Sequence, residues 1–259
     1  MSLSSSNFPT ICIILVGCHL SGLNGESPFT TIASKAELYS LPALTFGYAD
    51  LEPFFDEATL HAHYDGHHET YRKKMNSALS EWRESDPLDS FSTEPILEIL
   101  KNLNKVPENF RNAIKNSGGG FVNHALYWAC MSPNPTREIR QPTGALLQDI
   151  ENEFGSFVKF SLKFTDRAVS LFGSGYVWLS RNPSSGALII TTTVNQDSPI
   201  SDGLHPILVI DVWEHSYYLK HQFRRHVYVA DWWKVVDWEN VEELDKWWRE
   251  VGSYARDEL

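Results

Sequence analysis

Residues 206–219 read P-I-L-V-I-D-V-W-E-H-S-Y-Y-L, and this stretch decides the fold. Its first half is an unbroken apolar run of strand length, which predicts a buried β-strand. The run closes on Asp211, and His215 follows four residues later. An aspartate at the end of a buried strand is costly unless something pairs it. A strand that ends on a carboxylate and leads into an imidazole therefore points to a cation at the strand's end.

Outward from this strand, the pattern predicts an α+β protein. Upstream, residues 176–180 and 187–194 flank the turn N-P-S-S-G (182–186) and read as a β-hairpin. With the 206–212 run they make a three-stranded antiparallel sheet. Residues 145–160 and 166–172 read as helices, and 214–250 as a helical run with tryptophans embedded in it. Residues 134–142, with two prolines, mark the linker between two halves.

The first half is helical. From Asp56, a capping residue, to position 79, apolar and aromatic residues recur at three- and four-residue steps: Leu60, His63 or Tyr64, His67, Tyr71, Met75, Ala78. Residues 80–94 are polar, contain Pro87 and predict a loop. Short helical pieces follow at 96–103 and 107–114, then a break at Gly118-Gly119-Gly120, then a helix that Pro133 and Pro135 end. The expected organisation is a helical-hairpin N-terminal domain over 37–134 and a C-terminal α/β domain over 142–255.

Composition narrows the function. The chain has 259 residues, 42% apolar and 21% charged, with a formal net charge of −11, and no block of Lys or Arg. That is ordinary globular composition and excludes nucleic acid and a membrane anchor as expected partners. Of nine tryptophans, six fall between Trp213 and Trp248, so the last third encloses an aromatic interior. The only cysteines, Cys12, Cys18 and Cys130, are too few for a disulfide framework.

The ends read as addresses. Residues 1–34 contain no Lys or Arg, and 11–16 read I-C-I-I-L-V, of the length of a signal-peptide core. Residues 1–25 are therefore expected to be a signal peptide. The final R-D-E-L (256–259) is similar to an endoplasmic-reticulum retention tetrapeptide. Together they predict a luminal protein of the secretory pathway, with the mitochondrion as the rival location.

The chemistry lies in the histidines. His63 and His67 share a helical face, His124 follows the triple glycine beside Tyr127 and Trp128, and Asp211 and His215 close the strand. Three imidazoles and one carboxylate suit iron, manganese or zinc; they are neither a thiolate cage nor the all-oxygen shell of calcium.

Five segments resemble the iron/manganese superoxide dismutase family: L-P-A-L-T-F-G-Y-A-D-L-E-P-F-F-D (41–56), H-Y-D-G-H-H-E-T-Y (63–71), G-G-G-F-V-N-H-A-L-Y-W (118–128), F-G-S-G-Y-V-W-L (172–179) and D-V-W-E-H-S-Y-Y-L (211–219). The resemblance implies that His63, His124, Asp211 and His215 are the metal ligands. It makes Tyr71 and His67 the gateway to the substrate, and Trp128, Trp178 and Trp213 the walls of the site. It also implies a homodimer or higher homo-oligomer in which Glu214 and Tyr218 reach the other subunit. The reaction implied is disproportionation of superoxide to oxygen and hydrogen peroxide by alternating one-electron steps with delivery of two protons.

The family places a glutamine near the metal from one of two positions. Iron-type members carry it four residues before the second ligand histidine, where this chain has Gly120. Manganese-type members carry it in a segment like N-Q-D-S-P (195–199), so Gln196 implies manganese, with iron less favoured. Gln196 then joins Tyr71 and His67 in the proton relay. Three departures stand out: Gly66 where the family often has lysine, Tyr176 in place of the first tryptophan of G-S-G-W, and R-H-V-Y (225–228) in place of R-P-D-Y. Two other readings compete, a zinc hydrolase with Glu214 as base and a non-catalytic homologue that keeps only the fold.

Overall fold

The structure, a computed structural model, describes residues 28–254. A short helix, α1 (Pro28–Ala33), places Phe29 against Trp247, ring centres 5.7 Å apart. Asp56 then caps α2 (Glu57–His61), accepting from the Thr59 amide at 3.3 Å as its residue type predicts. The helix continues through a π-helical turn (Ala62–His68) into α3 (Glu69–Ser85). Such wide turns concentrate at functional sites, and this one carries His63 and His67.

The expected loop over 80–94 is corrected at its start. The helix runs on to Ser85 because Trp82 is fully buried and its indole donates to Asp89 at 3.0 Å. Arg83 adds bonds to the carbonyls of Glu37 at 2.6 Å and Ser92 at 2.9 Å. Helix α4 (Ile96–Lys101) follows.

The expected break at the triple glycine is also corrected. Helix α5 (Glu108–Ala129) passes through Gly118, Gly119 and Gly120 without interruption. Each glycine costs about 1 kcal/mol against alanine in a helix; close packing requires Gly119 and Gly120, while Gly118 meets only the flexible end of Ile96. A Cβ at Gly118 would stand 2.9 Å from Ile96 Cδ1, at Gly119 2.3 Å from the Gln196 carbonyl oxygen, and at Gly120 2.5 Å from the Tyr71 ring. The glycines let α5 touch α3, α4 and the loop that carries Gln196. After α5, Asn134 anchors the connection by donating to the carbonyls of Glu138 at 2.7 Å and Lys234 at 2.6 Å.

Helices α6 (Gly144–Phe154) and α7 (Phe157–Ser170) meet at Gly155, whose φ of 85° ends the first, while Ser156 caps the second. The helix expected over 145–160 is therefore two. Strands β1 (Gly175–Arg181), β2 (Leu188–Val194) and β3 (His205–Asp211) form an antiparallel sheet in the order β2-β1-β3. Within it Tyr176 pairs with Asp211 on one side and with Thr193 on the other. The central strand is buried throughout.

The helical run expected over 214–250 is three helices: α8 (Tyr218–His221), α9 (Arg225–Val235) and α10 (Trp238–Tyr254). Gln222, at φ 53°, breaks the first pair, and Asp237 caps α10 through the Glu239 and Asn240 amides at 3.0 and 3.1 Å. Arg181 fastens the sheet to α10 by a paired contact with Asp245 at 2.6 and 2.8 Å. Tryptophans 178, 232 and 248 fill the aromatic interior foreseen in the composition. Among the described residues no helix is long and apolar enough to cross a membrane.

Candidate metal centre

Four segments meet at the C-terminal end of β3. The π turn brings His63, α5 brings His124, the strand's last residue is Asp211, and the turn Glu214–Ser216 brings His215. One donor atom from each lies within 4.8 Å of all the others. Asp211 Oδ2 stands 3.3 Å from both His63 Nε2 and His215 Nε2, and 3.8 Å from His124 Nε2. All four atoms are buried and without a hydrogen-bond partner. Each such group left unpaired costs about 1–3 kcal/mol, and a single cation among them would satisfy all four. The donors therefore fit a divalent or trivalent metal of the iron, manganese or zinc kind.

The surroundings aim the donors inward. His124 Nδ1 donates to the Gly120 carbonyl at 2.6 Å, which leaves Nε2 as the lone-pair nitrogen. Asp211 Oδ1 accepts from the Trp213 amide at 2.8 Å, so Oδ2 faces the histidines. Tyr228 donates to the Asp211 carbonyl at 2.6 Å and pairs with Tyr127 at 3.0 Å. Helix α9 begins at Arg225, so the unusual R-H-V-Y segment still delivers Tyr228 to the strand end.

Electrostatics agree with ligands held ready for a cation. Burial lowers His63 to about 4 and takes His124 well below the ordinary imidazole range, so both are neutral near pH 7. Burial alone would raise Asp211, but His215 and His63 outweigh it and keep the carboxylate charged.

The other expected residues surround this cluster unevenly. His67 is exposed and stacks on His215 with centres 4.0 Å apart. Gln196 is buried and donates from Nε2 to the Tyr71 hydroxyl at 3.0 Å. Trp128 lies against His63 at 4.7 Å and Trp213 against His215 at 5.4 Å. Trp178 stands one layer back: it touches Tyr176 at 5.4 Å and donates to Thr193. Glu214 and Tyr218 are exposed. A Cβ on Gly66 would meet nothing within 4 Å.

Sequence reading missed three supports. Tyr127 and Tyr228 hold the backbone of Asp211, and His68 accepts from Trp128 Nε1 at 3.2 Å while donating to the Phe121 carbonyl at 3.0 Å. His68 and Tyr127 sit in the quoted H-Y-D-G-H-H and G-G-G-F-V-N-H-A-L-Y-W motifs and Tyr228 closes R-H-V-Y, and these motifs were their only sequence signals.

Comparison with known proteins agrees with this geometry. The model described as iron/manganese superoxide dismutases, alpha-hairpin domain, matches residues 38–132, and the corresponding C-terminal domain matches 142–244. Superoxide dismutase [Mn] of Listeria innocua serovar 6a is 46% identical over 203 residues, 78% of this chain and 95% of that one. This bacterial relative overturns the expected luminal, endoplasmic-reticulum location, and nothing further supports the signal peptide and retention tail from which it was drawn. Both rested on residues 1–25 and 256–259, which lie outside the described residues. A six-residue apolar run without a basic flank and a four-residue tail are too short to determine a compartment. With both family models matched across the two halves, the chain belongs to the iron/manganese superoxide dismutases.

Proposed function

We propose that His63, His124, Asp211 and His215 hold manganese and that the chain disproportionates superoxide to oxygen and hydrogen peroxide. The observation that carries this is the cluster of four buried, unpartnered donor atoms within 4.8 Å of one another. Manganese, when bound, supplies one-electron exchange in both directions. Its choice over iron is supported by Gln196 after β2, by Gly120 packed against Tyr71, and by the manganese named for the Listeria innocua relative.

The protein's own work is exclusion and proton handling. Trp128, Tyr127 and Trp213 wall the ligand histidines with aromatic surface, which keeps bulk water from the donors. Tyr71 is half-buried, and burial raises its hydroxyl above the ordinary phenol range although the Gln196 bond opposes this. It therefore stays protonated near neutrality and can carry a proton with Gln196 as its neighbour. His67, exposed beside His215, forms the outer end of that path.

The same reading includes a homodimer. Phe172 is 97% and Phe223 80% exposed, and Tyr218 and Leu219 add to this apolar surface. Arg225 binds the carbonyls of Leu171 and Gly173 and the Tyr217 hydroxyl, which draws these segments together. A second copy on this surface would bring Glu214 and Tyr218 toward the partner's site. The test is manganese content and superoxide consumption of the purified chain: about one manganese per chain with rapid consumption supports the reading, and a zinc-loaded protein without consumption refutes it.

A further inference from the structure

The departure at position 176 leads to a role for that residue. Tyr176 lies opposite Asp211 in the sheet and is fully buried. Its hydroxyl donates to Gln196 Oε1 at 2.8 Å, while the other end of the same amide, Nε2, donates to Tyr71 at 3.0 Å. The backbone of Gln196 is fixed independently, since Asn123 donates to its carbonyl at 3.2 Å and Gly119 packs against the same oxygen. What remains free is rotation of the carboxamide, and a tyrosine hydroxyl holds each end of it.

We infer that Tyr176 is the positioning residue of the relay: its hydroxyl fixes which end of the Gln196 amide faces Tyr71. An amide has one acceptor end and one donor end, so while the Tyr176 hydroxyl donates to Oε1, Nε2 is the end presented to Tyr71. Without the Tyr176 hydroxyl, a buried carbonyl oxygen loses its partner and the amide has reason to turn or to recruit water. An indole N–H is also a donor, so tryptophan at 176 performs the same task by a different group, whereas phenylalanine does not. The inference rests on the proposed superoxide chemistry only for its effect on rate; the orientation of the amide stands apart from it.

Two measurements test it in full-length protein. In the metal-free chain labelled with [15N]glutamine, the Gln196 side-chain amide, identified by its loss in Gln196→Ala, is expected to exchange slowly with solvent. Tyr176→Phe should lose this protection and Tyr176→Trp should keep it. In the manganese-loaded chain, Tyr176→Phe should retain its metal, shift the reduction potential and lower turnover roughly 10-fold, and Tyr176→Trp should restore both toward the parent. Unchanged amide exchange and potential in Tyr176→Phe would overturn the inference. If that variant fails to fold, loss of amide protection in Tyr176→Trp overturns it equally. A parent chain with the expected amide behaviour but no turnover would refute the proposed function and leave the positioning role intact.

Discussion

Gly120 on α5 lies against the ring of Tyr71 on α3, so closely that a Cβ would meet ring carbons at 2.5 Å. On this backbone, position 120 has no room for the glutamine that the resemblance assigns to iron-type relatives, and the amide beside Tyr71 comes from Gln196 instead. The contact links sequence, packing and metal preference in one place.

Gly120→Ala tests that contact. Alanine gains about 1 kcal/mol of helix propensity, while overpacking costs about 1–3 kcal/mol. The clash with an aromatic ring held at its hydroxyl is expected to exceed the gain, so the urea midpoint should fall. A higher midpoint would mean that Tyr71 moves aside freely and that the glycine is not a spacer.

Asp211→Ala should abolish metal retention. It removes the one charged donor and leaves only three imidazole nitrogens to hold the cation. Elemental analysis after dialysis is the readout, with circular dichroism to confirm the fold. Full metal content in a folded Asp211→Ala protein would show that the ion sits elsewhere.

Acid should destabilise the metal-free chain. His63 and His68 have ordinary values near 6.5 when unfolded, but burial lowers them to about 4 and about 3 in the fold. Below 6.5 the unfolded chain therefore binds protons that the folded chain refuses, and the stability they contribute, complete above 6.5, declines as pH falls through 4 toward 3. The total is on the order of a few kcal/mol. Urea midpoints measured between pH 7 and pH 4 should drop steadily; a flat profile would contradict the neutral, buried imidazoles.

Phe172→Asp should weaken self-association. A charge on an almost fully exposed ring costs nothing in the monomer but is expensive in an apolar interface. Sedimentation should show dimers for the parent and monomers for the variant at micromolar concentration. A monomeric, fully active parent would refute the dimer.

Much of the candidate site was legible because each proposed donor stands out against its context. Asp211 ends an apolar strand, and His63 and His124 lie on apolar helical faces, so local pattern alone raises the question of what pairs them. The fold class was legible for the same reason, through hairpin turns and helical periodicity. The triple glycine misled because helix propensity is local, while the contacts that require Gly119 and Gly120 come from Gln196 and Tyr71, distant in the chain. Helix α3 outran its expected end because Trp82 and Arg83 find partners beyond the local pattern. The hydroxyl contacts of Tyr127, Tyr176 and Tyr228 depend on strand register and helix packing, which spacing alone does not reveal.

The most direct measurement is the decay of superoxide over the same purified, metal-depleted chain reloaded with either manganese or iron. The account expects fast decay with manganese, one ion per chain, and markedly slower decay with iron, because Gln196 and Tyr71 are placed for the manganese arrangement. Fast decay with iron alone, or no decay with either ion in a folded protein that binds them, would contradict it.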